Sequence, residues 1–214
     1  MVGQWTFYRP QGQIEWVGSV NEKNGYWEHY YNNGRIESKG TFLGLGAEIE
    51  LDRDRLGDIR GYLGEKDGLW QYYYESGHLK SKGTYNSGAT VGYWENYYEN
   101  GQLEEAGSYG AAMARVGRWR EYYDNGQLKR EGNYKDNKLP LMWDEDRAGY
   151  IEGFRFGDQV GLWNEYYQSG QLKTRESFWE GKLTGISEAF KEDGELSARV
   201  CYKAGEVVAI SVCN

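Results

Sequence analysis

The sequence predicts an all-β protein: an elongated, single-sheet antiparallel β-meander of about nine tandem hairpins. Three observations lead there. A frame of Gly, Trp, Tyr and Leu returns at spacings of 20 to 25 residues along most of the 214-residue chain, and self-similarity at such a period marks units that stack on their neighbours. Turn tripeptides ending in Gly separate short aromatic or aliphatic runs, the mark of β-hairpins. Helical periodicity is nowhere sustained.

The clearest copy begins Gly25-Tyr26-Trp27 and continues through Tyr30, Tyr31, Gly34, Ile36, Gly40 and Phe42. The same frame recurs around Trp70, Trp94, Trp119 and Trp163, with weaker copies around Trp5 and around Ser187, where serine replaces the tryptophan. The gaps between Trp27 and Trp70 and between Trp119 and Trp163 are about double the rest, so each should hold a degenerate copy. The units then start near residues 3, 25, 47, 68, 92, 117, 141, 161 and 185, with a tail over 203–214, all in one repeat domain spanning 1–214.

Within a unit the two strands flank a turn such as Asn32-Asn33-Gly34, Asp124-Asn125-Gly126 or Gln168-Ser169-Gly170. A three-residue loop with glycine in the left-handed position fits best. Counting from the frame Trp as zero, Tyr at +3 then faces Leu at +9, which pairs Tyr73 with Leu79. Trp at 0 and Tyr at +4 fall on the opposite face, because side chains alternate. A second glycine (Gly40, Gly83, Gly107, Gly132) lies inside a strand and leaves room for a neighbouring ring or a bend. Glu176 takes its place in the fifth clear copy. The tight turns are uniform, whereas length varies after the second aromatic, so one edge carries variable loops, the better place for partner specificity. The chain begins almost inside a hairpin, so its first sheet edge is poorly capped, and the tail Glu206–Cys213 or another chain is expected to cap it.

The two gap copies share a pattern of their own. Asp52-Arg53-Asp54-Arg55-Leu56-Gly57 matches Asp144-Glu145-Asp146-Arg147-Ala148-Gly149. The Asp-x-Asp spacing resembles the start of a calcium loop. Leu56 and Leu63, or Ala148 and Arg155, stand where that loop needs oxygen ligands, so a variant turn with solvated charges is the better reading.

The frame Gly-x-Trp-x-x-Tyr-Tyr-x-x-Gly-x-Leu-x-x-x-Gly-x-Tyr resembles the MORN repeat variant, and in particular the repeats of bacterial YwqK-like antitoxin or immunity proteins. The resemblance covers residues 3 to about 203. It implies a β-meander of consecutive hairpins and binding that neutralises a toxin. It offers no catalytic residues to carry over.

Composition narrows the function further. Glycine numbers 31, tyrosine 20 and tryptophan 9, because each clear unit uses several of them. The formal net charge of −8 argues against nucleic acid or a membrane surface as partner and fits a basic protein. No apolar run approaches a membrane span and the start lacks a signal-peptide pattern, which leads to a cytoplasmic expectation unless a leader was removed. Cys201 and Cys213 are expected as free thiols, with a disulfide as the alternative, since a turn at Gly205 would not set them directly opposite each other. His29 and His78 read as ordinary strand or turn residues, and Glu95, Glu121, Glu165 and Glu188 as carboxylates along solvated strands. No enzyme activity, cofactor or metal site is expected.

The expected function is an immunity or antitoxin-type protein that binds a basic toxin stoichiometrically and occludes it. The expected contact residues are Asp52, Asp54, Arg55, Trp143, Asp144, Glu145, Asp146 and Trp179. Trp179 is singled out as an extra tryptophan in a variable linker. Alternatives are a MORN-type scaffold or membrane-associated adaptor, and a carbohydrate-binding module using exposed rings. Self-association through open sheet edges is a further expectation.

Overall fold

The computed structural model describes residues 3–20, 24–43, 64–110, 113–135, 143–144, 149–150 and 157–213. The fold is all-β, an open antiparallel sheet whose sixteen strands run in meander order, beside one separate two-stranded pair. The chain forms two compact units, Met1–Gly101 and Gln102–Asn214.

The first unit holds β1 (Gly3–Tyr8), β2 (Ile14–Val20), β3 (Asn24–Tyr30), β4 (Ile36–Leu43), β5 (Glu65–Tyr73), β6 (Leu79–Asn86) and β7 (Ala89–Tyr97), hydrogen-bonded in that order. The second holds β8 (Leu103–Tyr109), β9 (Arg115–Tyr122), β10 (Leu128–Tyr134), the separate pair β11 (Trp143–Asp144) and β12 (Gly149–Tyr150), then β13 (Gln159–Tyr166), β14 (Leu172–Trp179), β15 (Lys182–Leu183), β16 (Gly185–Phe190), β17 (Leu196–Lys203) and β18 (Glu206–Val208). Its sheet runs β8-β9-β10-β13-β14-β16-β17-β18, with β15 beside β14. A 3-10 turn, Ile210–Val212, follows.

The hairpin register follows the sequence. Tyr73 pairs with Leu79, Tyr122 with Leu128 and Tyr166 with Leu172. The turn glycines Gly34, Gly77, Gly126 and Gly170 have φ of 80°, 91°, 83° and 91°, the left-handed conformation that closes a three-residue loop. A bulge between +2 and +3 re-aims each strand just before that loop, as at Tyr72/Tyr73 and Glu165/Tyr166. Tyr at +4, expected on the tryptophan face, instead opens the loop: the Tyr31 amide donates to the Arg35 carbonyl at 2.8 Å. The bulge has already broken the alternation there.

Each in-strand glycine makes room for the tryptophan of the next hairpin. A Cβ at Gly40 would stand 2.4 Å from the Trp70 ring, at Gly83 2.0 Å from Trp94, at Gly107 2.2 Å from Trp119 and at Gly132 2.0 Å from Trp163. The indole lies flat on bare backbone and its Nε1 donates to the carbonyl of the residue after the glycine: Trp70 to Thr41, Trp119 to Ser108, Trp163 to Asn133. The aromatic at +15 then meets the next tryptophan edge-on, Phe42 on Trp70 at 4.8 Å and Tyr134 on Trp163 at 5.0 Å. Cationic side chains cover the outer ring faces. Lys66 Nζ lies 4.6 Å from the Trp70 ring centre, and the guanidinium carbon of Arg115 4.1 Å from that of Trp119. This is how an open sheet leaves Trp27, Trp70 and Trp119 only 1 % exposed, with contacts worth about 0.5–1.5 kcal/mol per ring pair beyond burial.

β4 pairs directly with β5 and β10 with β13. Trp70 already has its glycine in Gly40, and Trp163 has its own in Gly132. The copy near 47 and most of the copy near 141 lie outside the described residues. Glu176 also finds its reason. The next frame position is Ser187, which has no ring to seat, so no glycine is needed behind it.

The cysteines correct the free-thiol expectation: Cys201 and Cys213 form a disulfide with a Cα–Cα distance of 6.0 Å. The turn does fall at Gly205, and Cys201 pairs across the sheet with Val208, as geometry requires. The 3-10 turn at Ile210–Val212 then folds the chain back and returns Cys213 to Cys201. The tail strand β18 pairs with β17 and covers its edge.

Candidate partner-binding site

The two edges of the sheet differ in what they leave open. On the uniform edge, the +4 residue of one hairpin hydrogen-bonds to the +3 carbonyl of the next. Tyr31 Oη donates to the Tyr73 carbonyl at 2.7 Å, Tyr74 to Tyr97 at 2.7 Å, Tyr123 to Tyr166 at 2.9 Å and Tyr167 to Phe190 at 2.9 Å. Arg9, standing at +4 in the first copy, does the same to the Tyr30 carbonyl at 2.7 Å. Turn side chains add more: Asn33 Nδ2 donates to the Glu75 carbonyl and Asn125 Nδ2 to the Gln168 carbonyl. His78 Nδ1 lies 2.6 Å from the Glu99 carbonyl. These bonds spend the polar groups of that edge on holding neighbours together.

The opposite edge carries three two-residue turns among the described residues. Ser87-Gly88, Glu180-Gly181 and Ala204-Gly205 all have positive φ, the hairpin geometry that matches strand twist. The glycine amide of each donates to the preceding strands: Gly88 to Lys66, Gly181 to Gln159 and Gly205 to Leu183.

At this edge of the second unit lies a cavity of about 520 Å³, lined by Lys135, Asp158, Trp179, Glu180, Lys182, Thr184, Lys203 and Ala204. Its layout follows from the repeat. Lys135, Trp179 and Lys203 each stand at frame position +16 of successive hairpins, closing the second strand before the variable loop. Lys182 faces Trp179 directly across the Glu180-Gly181 turn. Trp179 is 68 % exposed, in contrast to the buried frame tryptophans. Lys135 Nζ lies 3.8 Å from Glu180 Oε1, whereas no ion pair engages Lys182 or Lys203 among the described residues. A broad apolar ring, two available ammonium groups and the Thr184 hydroxyl therefore converge on one concave surface.

Of the expected contact residues, Trp179 alone among those described lies in this cavity. Asp52, Asp54, Arg55, Glu145 and Asp146 lie outside the described residues. Trp143 and Asp144 form β11, paired with Gly149–Tyr150. The lysines were missed because, at one position per repeat, they read as solvated charges. Frame position +16 read down three copies finds Lys135 and Lys203, and the Glu180-Gly181 turn sets Lys182 opposite Trp179.

The remaining candidates are structural. His29 stacks on Trp16 at 4.2 Å and places Nδ1 2.8 Å from Glu37. The strand carboxylates meet cations: Glu95 with Lys82 at 2.7 Å, Glu165 with Lys173 at 2.8 Å, Glu121 with Arg115 at 3.8 Å, and Glu188 with both Arg175 and Arg199 at 3.5 Å. Such part-exposed pairs contribute about 0–1 kcal/mol each. Among the described residues no group of three His, Cys, Asp or Glu side chains is placed to hold a metal.

Comparison with known proteins agrees with the repeat geometry. The MORN repeat variant model matches residues 23–43, 66–87, 90–110, 115–136 and 159–180, together half of the chain. None of the curated proteins matches. Among solved structures, a chain in the "Crystal Structure of TcdB2-TccC3-Cdc42" is similar at 11 % identity with a TM-score of 0.23, over 95 % of this chain and 12 % of that one. This chain thus spans about an eighth of the length of that structure's chain. The five matched segments each hold a frame tryptophan and its hairpin turn or in-strand glycine, and on them the chain belongs to the MORN repeat variant family.

Proposed function

We propose that this protein is a binding protein of the immunity or antitoxin type, acting by stoichiometric capture of a partner protein. MORN repeats suggest a β-repeat scaffold or a protein-binding role. The observation that carries the finer reading is the exposed Trp179 beside a cavity on the variable-loop edge. Exposed tryptophans in concave surroundings are typical energetic anchors of protein interfaces. The opposite edge, whose polar groups are engaged between hairpins, serves as the stiff spine that presents it. The Cys201–Cys213 bond supports an oxidising setting for this binding, outside the reducing cytoplasm.

The test is co-expression with the product of the adjacent reading frame. A stable 1:1 complex on affinity capture and sizing, together with rescue of growth from that product's toxicity, is the expected result. The absence of both the complex and the rescue refutes the proposal.

A further inference from the structure

The sequence-level expectation of a basic partner came from the whole-chain charge of −8. The Trp179 surface has the opposite local character. Three of its lining side chains are lysines: Lys182 across the turn on the same hairpin, Lys135 and Lys203 at the equivalent position of the flanking hairpins. Cross-strand neighbours stand about 5 Å apart, and equivalent strands of successive hairpins about 10 Å apart. That spacing lets one short peptide segment touch all of them. Glu180 sits 3.8 Å from Lys135, which leaves Lys182 and Lys203 against Asp158 and gives the cavity a positive excess.

We propose that this cavity docks an acidic loop of a protein partner, a carboxylate entering between Lys182 and Lys203 while an adjacent apolar side chain packs on the Trp179 ring. The inference rests on the binding role proposed above and deepens it by naming the partner's chemistry. A carboxylate is favoured because Lys182 and Lys203 line the cavity without an ion pair among the described residues, in excess over Asp158, and because Thr184 offers a hydroxyl donor. An apolar neighbour is favoured because the Trp179 ring is 68 % exposed and gains by desolvation. A basic loop would meet three lysines and is disfavoured by like charge. The partner's contact surface is therefore acidic, although the chain that binds it is itself acidic.

The test titrates the intact oxidised protein with two blocked peptides, Ac-Gly-Glu-Phe-Glu-Gly-amide and its Lys-for-Glu counterpart, followed by tryptophan fluorescence and heteronuclear NMR. The acidic peptide should bind and perturb the Trp179 indole signal, while the basic one should not bind. K182E/K203E should weaken acidic binding at least tenfold, and W179A should do the same. Both variants alter exposed side chains, and their unfolding midpoints should match the parent, which separates lost binding from lost folding. Raising salt from 50 to 500 mM should also weaken binding, because the pairing charges are solvent-accessible. Equal binding of both peptides, or acidic binding that survives both variants, overturns the proposal. So does equally tight displacement of the peptide by inorganic phosphate, which would mark a small-anion site.

The two proposals fail separately. A 1:1 complex with the native partner that is indifferent to W179A and K182E/K203E removes this site and keeps the binding function. Specific peptide binding without any complex or rescue keeps the site and removes the immunity reading.

Discussion

Replacing Gly83 with alanine places a methyl group where the Trp94 indole lies. The new Cβ would stand 2.0 Å from Trp94 Cδ2 and 2.2 Å from Cε2, against an optimal carbon–carbon separation of about 3.5–4.0 Å. The ring must therefore retreat by about 1.5 Å, and it takes with it the Nε1 hydrogen bond to the Thr84 carbonyl at 3.2 Å. Overpacking of this kind costs about 1–3 kcal/mol and the lost hydrogen bond about 1 kcal/mol more, so Gly83→Ala should lose about 2–4 kcal/mol. Trp94→Ser should lose about 3–5 kcal/mol as a buried ring disappears. The double variant should be no less stable than Trp94→Ser alone, because no ring remains to meet the methyl. The chain already carries such a pair in Glu176 and Ser187, where the bulky residue and the missing ring coincide. Equilibrium urea unfolding by far-UV circular dichroism measures all three variants. A Gly83→Ala midpoint equivalent to less than about 0.5 kcal/mol of change, or additive losses in the double variant, would refute the ring-on-glycine account.

Three further outcomes follow from the same geometry. Tyr74→Phe removes the Oη bond to the Tyr97 carbonyl and should cost about 0.5–1.5 kcal/mol in urea unfolding; an unchanged midpoint would show that the hydroxyl is not coupling the hairpins. Reducing the Cys201–Cys213 bond, which closes a separation of 12 residues, should lower stability by about 3 kcal/mol on the chain-entropy model, read as a drop in Tm with dithiothreitol that a Cys201→Ser/Cys213→Ser variant does not show. The Tyr30 hydroxyl is pushed up from 10.0 to about 12 by burial and by its hydrogen bond to Glu28. The unfolded chain ionises first, so this stabilisation is whole below pH 10 and is lost as pH rises to about 12. The stability gap between the parent and Tyr30→Phe should narrow across that window, and a constant gap would contradict it.

Much of the fold was legible because it is local. Asn32-Asn33-Gly34 and its counterparts set a three-residue loop with glycine left-handed, and that loop fixes the register that pairs Tyr73 with Leu79. The in-strand glycines were legible as spaces for rings. Which ring fills each space was not, since the Gly83 space belongs to Trp94 of the next hairpin and not to its own cross-strand partner Trp70. Trp179 stood out as an extra tryptophan, but its lysine neighbours did not, because single charges in separate repeats carry no sign that they converge.

Hairpin formation, register and the direction of each strand are dictated by stretches of fewer than about 20 residues, and these the chain spells out by itself. The order in which hairpins meet across long insertions is a different matter. β4 meets β5, and β10 meets β13, because the indoles of Trp70 and Trp163 fit the bare backbone at Gly40 and Gly132. The closing of Cys213 onto Cys201 depends on a turn beyond the last strand. The lysine-flanked cavity depends on three hairpins lying side by side. Each of these is a contact between residues distant in the chain, where steric fit and charge act through space, and only the folded structure brings them within reach.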